Sequence, residues 1–324
     1  MDLQLTDEQR WLAEAIDELL RRAYGAGWQS LVEFGAFDVG ADGLGAVELA
    51  LIARAAGGVL SPLPFADAAA VHYAVALGGA TVAPCLAETG RPFAPDDPSA
   101  TLTDSRLNGR YDAVPHAASV ELFAVPALAN GGAVLAIVPA AAAAVESQPT
   151  LDATVAAAQV HFADAGAEVA GDASAIGRVA AAAGILVSAE AVGAAASILE
   201  LAREYAGQRR QFGRTIGSFQ AVRHLLADMY VQLESAWSSV LYAAASLDEG
   251  EADAARTAAI AKAYAARATQ EVAQGALQVF GGIAFTADHS AHRFLRRIVV
   301  RGGHYGSARD HERTLGQGLA RTAP

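Results

Sequence analysis

Cysteine is nearly absent: Cys85 stands alone among 324 residues, which excludes an intrachain disulfide and a thiolate metal cluster. No metal site is expected. Charge is scarce too, at 18% of residues, and it leans acidic, with 23 Lys plus Arg against 35 Asp plus Glu. A net charge of −12 argues against nucleic acid as a partner, while leaving room for a local basic site that holds a small anionic cofactor. Long unbroken apolar runs are missing as well. The segment 179–196 falls short of the roughly 20 residues a membrane span needs, being interrupted by Ser188 and Glu190. The opening MDLQLTDEQRW lacks the basic-then-apolar order of a signal peptide. These absences predict a soluble, cytoplasmic chain without a membrane span.

What the sequence does have is hydrophobic bulk, 53% of residues, in a chain long enough for several packed layers. Three textures follow one another. Residues 1–80 read as a short helical domain. Thr6 opens a helix that runs to about Arg22, a short helix begins at Trp28, another spans 46–56, and an alanine-rich one spans Asp67 to Leu77. Residues 81–171 switch to short apolar runs separated by turn residues, the pattern of a small antiparallel sheet or barrel. Asn108-Gly109 and Asn130-Gly131-Gly132 are its strongest hairpin signals. From 172 to 324 the period returns to 3.6. Long helices are expected over 174–208, from Ser218 onward, and over 251–280, the last stopped by Gly281-Gly282; shorter ones follow near 290–297 and 307–319. Long helices joined by short turns make an antiparallel bundle. The expected fold is mainly α with a β middle domain.

Two stretches carry chemistry. Between the first two bundle helices, Arg209-Arg210-Gln211-Phe212 meets a break at Gly213, and guanidinium groups at such a corner suit a phosphate or pyrophosphate. Taken alone, the corner also reads as an ordinary helical hairpin with solvated charges. The second stretch, Gln278-Val279-Phe280-Gly281-Gly282-Ile283-Ala284-Phe285-Thr286, would alone read as a plain helix stop. The helix after it carries His292, Arg293, Arg296, Arg297 and Arg301, a basic face read as solvated and structural.

Together, the RRQFGRTI…SFQAVRHLLADM segment from Arg209 to Met229 and the QVFGGIAFT segment resemble the signatures of the flavin-dependent acyl-CoA dehydrogenases. The order helical domain, β domain, four-helix bundle is similar to that family's too. The resemblance implies FAD held between subunits. Arg209, Arg210, Gln211 and Phe212 would approach the cofactor of a neighbouring subunit, with Arg209 on the pyrophosphate. Phe219 and Gln220 would lie nearby, and Gln278 through Gly282 (Val279, Phe280 and Gly281 between them) would line the adenosine end.

The resemblance fails where the family keeps its base. The reaction removes a proton beside a thioester, which takes a carboxylate in a dry pocket. Family members supply a glutamate near the C-terminus or from the long helix; here Tyr305 and Ala183 occupy those positions, with Gly184 where many members carry an arginine. Glu190 is the remaining candidate base, and is read first as a carboxylate on the helix surface or between subunits. In the β domain only Glu88 of a flavin-contacting loop is kept. This combination is most similar to the shorter subunit of heteromeric α2β2 acyl-CoA dehydrogenases of actinobacterial steroid side-chain breakdown. It implies an acyl-CoA substrate, a second acyl-CoA dehydrogenase subunit that brings the glutamate, and electron-transfer flavoprotein as electron acceptor. Two alternatives stay open: a self-sufficient homo-oligomer with an unusual base, and a flavin-free structural partner.

Overall fold

The structure is a computed structural model, described for residues 4–22, 27–40, 43–129 and 131–322. Its first helix, α1 (Asp7–Arg22), starts with a reciprocal cap. The Thr6 Oγ1 accepts from the Gln9 amide at 3.2 Å, and the Gln9 Oε1 accepts from the Thr6 amide at 3.0 Å, satisfying two amides that a helix start leaves unpaired. Then come α2 (Trp28–Glu33), α3 (Ala46–Gly58) and α4 (Phe65–His72). The last of these is shorter than expected. It ends at His72, where Tyr73 caps it and a turn leads to Gly78 and Gly79.

The middle of the chain is one eight-stranded sheet. Its strands are β1 (Val82–Pro84), β2 (Thr101–Thr103), β3 (Arg106–Pro115), β4 (Leu122–Ala129), β5 (Gly132–Pro139), β6 (Ala144–Gln148), β7 (Ala157–Gly166) and β8 (Glu168–Asp172). They run in the order β6-β7-β3-β2-β4-β5-β8, with β1 parallel to β4. The hairpin expected at Asn108-Gly109 is not there. Both residues lie inside β3, and the β2–β3 turn is Asp104-Ser105, with φ of +50° and +60°. Two consecutive left-handed residues define a type I′ turn, and Asp tolerates that region better than most residues do. Gly109 answers to a different constraint, since a Cβ there would sit 2.8 Å from the Ala100 Cβ. The turn between β4 and β5 does fall where expected; Ala129 pairs with Gly132 and Gly131 has φ +97°, while Asn130 lies outside the described residues.

The bundle follows with α5 (Ala173–Gln208), α6 (Gln220–Asp248), α7 (Ala254–Phe280), α8 (Ala291–Gly303) and α9 (Ala308–Thr322). Asp172 caps α5, its carboxylate accepting from the amides of Ser174 and Ala175. α7 stops at Gly281, whose φ of +65° and ψ of −143° suit glycine alone. Over its length α5 is apolar enough to cross a membrane, which the interruption by Ser188 and Glu190 did not lead one to expect. Most of it is instead buried in protein, where alanine, valine and isoleucine pack against α3 and α7. Those two polar residues are satisfied internally, Ser188 donating to the Gly184 carbonyl at 2.7 Å.

Glycine brings α3 against α5. A Cβ on Gly57 would stand 1.9 Å from the Glu190 carbonyl oxygen, and one on Gly193 would stand 1.8 Å from that of Arg54. Backbone therefore meets backbone at this crossing. The N-terminal helices share one hydrophobic core with the bundle, and the sheet holds a second core around Phe123, Tyr111 and Phe162.

Candidate functional site

The basic corner is built by a small hairpin. After α5 ends, Arg210-Gln211 pairs antiparallel with Arg214-Thr215 across a two-residue turn, Phe212-Gly213, with φ of +51° and +82°. A phenylalanine in the left-handed region is strained, and this one is 92% exposed. Phe212 meets Phe219 edge-on at 6.2 Å, and the Arg214 guanidinium stacks over the Phe219 ring at 4.0 Å. Arg210 donates to the Gly213 carbonyl at 2.9 Å. No carboxylate among the described residues pairs with Arg209, Arg210 or Arg214, so their charge is directed outward. Gln211 and Gln220 are exposed beside them.

The second stretch lies at the same end of the bundle, where Tyr205 in the last turn of α5 stacks edge-on against Phe280 at 5.4 Å. Gln278 and Gly282 are exposed, and a Cβ on Gly281 or Gly282 would meet nothing within 4 Å, leaving an open backbone. Val279 and Phe280 depart from expectation. At 7% and 5% exposure their side chains belong to the core, with Phe280 also against His289 at 4.5 Å. Unpaired guanidinium donors, an exposed aromatic ring and open glycine backbone together fit a dinucleotide carrying a pyrophosphate.

The positions expected to lack a base sit at a buried polar centre that sequence reading did not assemble. Arg297 and Arg301, expected on a solvated face, are 0% and 1% exposed, and Glu190, expected at a helix surface, is 4% exposed. Residues four apart share one side of a helix, and here that side of α8 faces inward. Arg297 bonds Glu190 Oε1 at 2.8 Å and Asp152 Oδ2 at 2.6 Å. Arg301 pairs with Glu190 Oε2 at 2.9 Å and with both oxygens of Asp67, at 3.0 and 2.9 Å. The Tyr305 hydroxyl donates to Asp67 Oδ1 at 2.6 Å. Five segments thus converge: α4, the β6–β7 connection, α5, α8 and the α8–α9 turn. Buried carboxylates survive because each has a guanidinium partner.

The electrostatics leave Asp67 and His304 with little proton affinity. Burial alone would raise the Asp67 carboxyl; Arg301 and His116 outweigh it and hold its pKa at about 2. Burial beside Asp67 pushes the Tyr305 phenol upward, so it stays neutral. Burial lowers His304 to about 3, helped by Arg301. Ala183 is fully buried and carries no functional group. Lys262, the only lysine in the chain, is buried alongside, donating to the carbonyls of Arg301 and Gly302 at 3.0 and 2.9 Å. The Asp67, Asp152, His116, His304 and Lys262 members are scattered through the sequence. The one local signal is Asp67, the only carboxylate in a helix otherwise apolar up to its last residue, His72.

Glu88, the residue kept from the flavin-contacting loop, is spent on its own segment. Its carboxylate accepts from the Ser99 and Ala100 amides at 2.7 and 3.0 Å and from Arg91 at 2.8 Å. That clamps both ends of the proline-rich loop 89–98.

With this geometry in view, the comparisons with known proteins agree. Residues 164–302 match the acyl-CoA dehydrogenase C-terminal domain, whose family uses FAD. The probable acyl-CoA dehydrogenase FadE25 of Mycobacterium tuberculosis is 40% identical over 114 residues, a match spanning 35% of this chain and only 29% of that protein. Among solved structures, the ChsE4-ChsE5 complex from Mycobacterium tuberculosis superposes with a TM-score of 0.87 at 24% identity, covering 100% of both chains. The Tcur3481-Tcur3483 steroid ACAD G363A variant gives 0.85 at 24% identity over 97% of each. Residues 164–302 thus carry the acyl-CoA dehydrogenase C-terminal domain, and the whole chain shares the acyl-CoA dehydrogenase fold of these solved structures.

Proposed function

We propose that this chain is the FAD-holding, base-lacking subunit of a heteromeric acyl-CoA dehydrogenase. The complex would form a double bond between the α and β carbons of an acyl-CoA thioester, with the glutamate supplied by a second acyl-CoA dehydrogenase subunit. The carrying observation is the buried centre. Both oxygens of Glu190 are taken by Arg297 and Arg301, Asp67 is held at about 2, Tyr305 donates its proton to Asp67, and Ala183 carries nothing. A base for abstraction beside a thioester needs a free carboxylate oxygen with proton affinity near the working pH. Glu190 has both oxygens occupied by guanidinium groups, Asp67 is held far below that range, and Tyr305 stays protonated.

FAD, when bound, supplies the hydride acceptor. Arg209 and Arg210 would hold its pyrophosphate from the hairpin corner, Phe212, Phe219, Gln211 and Gln220 would lie against it, and the backbone at Gln278, Gly281 and Gly282 would border the adenosine. These groups face outward at one end of the bundle, which suits a cofactor shared with the partner chain. Support for a partner comes from the two superposed structures, each named as a pair, one of them a steroid ACAD. On the same reading the substrate is a steroid side-chain thioester, electron-transfer flavoprotein takes the electrons, and the complex works in the cytoplasm. Residues 1–80, 81–171 and 172–324 then act as its helical, β and bundle domains.

The test is expression of the chain alone and with a glutamate-bearing partner, followed by an acyl-CoA oxidation assay. Activity is expected only from the pair. Full activity from the isolated chain, or a colourless pair, overturns the reading.

A further inference from the structure

Helix α8 starts without the usual cap. The first turn of a helix leaves its amides unpaired, and a Ser or Asp side chain at the N-cap normally takes one of them. Here the N-cap is Ser290, its side chain bonds no amide, and the first turn carries no acidic residue. The acceptor comes from one residue earlier: the Ala291 amide donates to Nδ1 of His289 at 3.2 Å. A backbone amide can only donate, so this contact fixes the tautomer, with Nδ1 bare and the ring proton on Nε2.

His289 is anchored on its other side. Its ring meets Phe280 edge-on at 4.5 Å, and Phe280 in turn meets Tyr205 at 5.4 Å. Phe280 is the last residue of α7, and Gly281-Gly282 follows directly. The His289 amide also donates to the Thr286 carbonyl at 3.3 Å, closing the turn that leads from the glycines into α8. One imidazole therefore ties the start of α8 to the backbone that would border the adenosine.

The tie exists only with the neutral ring. A protonated imidazole has no acceptor left, and it places positive charge at a helix N-terminus, where the dipole is already positive. His292 and Arg293 stand in that same first turn and add to the repulsion. Asp288 flanks the ring in sequence, yet no ion pair to His289 forms among the described residues. The elements packed against it, α7 and behind it α5, present the rings of Phe280 and Tyr205. His289 is half-buried, so solvent protons reach it.

We propose that His289 is a pH-operated cap. Neutral, it holds the first turn of α8 against the Gly281-Gly282 backbone; protonated, it releases that turn and with it the grip on FAD. The inference rests on the FAD reading above and adds its regulation.

Hydrogen exchange of the FAD-free chain tests the cap at the Ala291 amide, relative to its unfolded rate, between about pH 7.5 and pH 5.5, where a histidine changes charge. Protection is expected to fall at least tenfold on acidification. His289→Asn keeps a side-chain acceptor for the amide two residues on, and one that does not titrate, so its protection should stay level. His289→Phe keeps the ring and loses the acceptor, so protection should be low throughout. Flavin retained by the FAD-loaded pair after ultrafiltration is the second readout. Wild type should lose flavin several-fold at the acid end, and His289→Asn should not. Level wild-type protection, or an acid loss that persists in His289→Asn, would overturn the cap. Acid loss of protection with equal flavin retention in wild type and His289→Asn would overturn its link to FAD. A pair colourless at neutral pH sinks the FAD reading instead and leaves the exchange result to judge the cap.

Discussion

Tyr305 shows why a single residue does not restore the missing base. Its φ is +55° and its hydroxyl lies 2.6 Å from Asp67 Oδ1. A glutamate at 305 would set a second carboxylate beside Asp67, and two buried carboxylates sharing a site cannot both ionise. Tyr305→Glu should therefore leave the isolated chain without acyl-CoA oxidation and lower its melting temperature. A self-sufficient dehydrogenase from this one change would contradict the account. Tyr305→Phe removes only the hydroxyl hydrogen bond and should cost about 1–2 kcal/mol in denaturant unfolding.

The same buried groups set a pH profile. His304 is depressed from 6.5 to about 3, so folding excludes its proton, and stability should fall as pH drops from 6.5 toward 3. Asp67 is depressed from 3.8 to about 2; its contribution is fully present above 3.8 and is lost as pH falls toward 2. Lys262 works on the alkaline side. Burial and the neighbouring Arg301 lower it from 10.5 to about 7, so its penalty is full below 7 and lifts as pH rises toward 10.5. Stability measured by denaturant unfolding should rise across that upper window, and Lys262→Met should flatten the rise. A wild-type profile level from pH 7 to 10 would contradict this.

At the scale of elements, what could be read from the sequence was whatever rests on neighbours along the chain. The Thr6 cap, the Gly281 stop and the ends of α5 follow from local backbone demands, and they lie within a few residues of expectation. The β2–β3 hairpin was misplaced because Asn-Gly serves two purposes. In β3, Asn108 accepts from the Asp164 amide at 2.9 Å and Gly109 makes room for Ala100, while Asp104-Ser105 makes the turn. The Glu190–Arg297–Arg301–Asp67 centre was invisible for another reason. Its partners are separated by more than a hundred residues, and helical spacing puts Arg297 and Arg301 on one face without saying which face turns inward. The α3–α5 crossing supplies the element-scale test. Gly57→Ala would drive a methyl into the Glu190 carbonyl, 1.9 Å away, and disturb the helix that carries Glu190. Overpacking of this kind costs about 1–3 kcal/mol or more, and thermal unfolding should show the loss.

The molecule sends Arg209, Arg210 and Arg214 outward at one end and keeps Asp67, Asp152 and Glu190 neutralised inside. The outward set was legible because a contiguous motif carries it; the inner set was not. Arg209→Ala should leave the fold intact by circular dichroism and reduce bound flavin in the complex several-fold. The central claim, that this chain holds cofactor while another brings the base, is tested most directly by one measurement. Flavin content and acyl-CoA oxidation are followed in a pair whose partner's own glutamate is replaced by glutamine. The account predicts a yellow complex with turnover reduced by orders of magnitude. Undiminished turnover from that pair would place the base on this chain and contradict it.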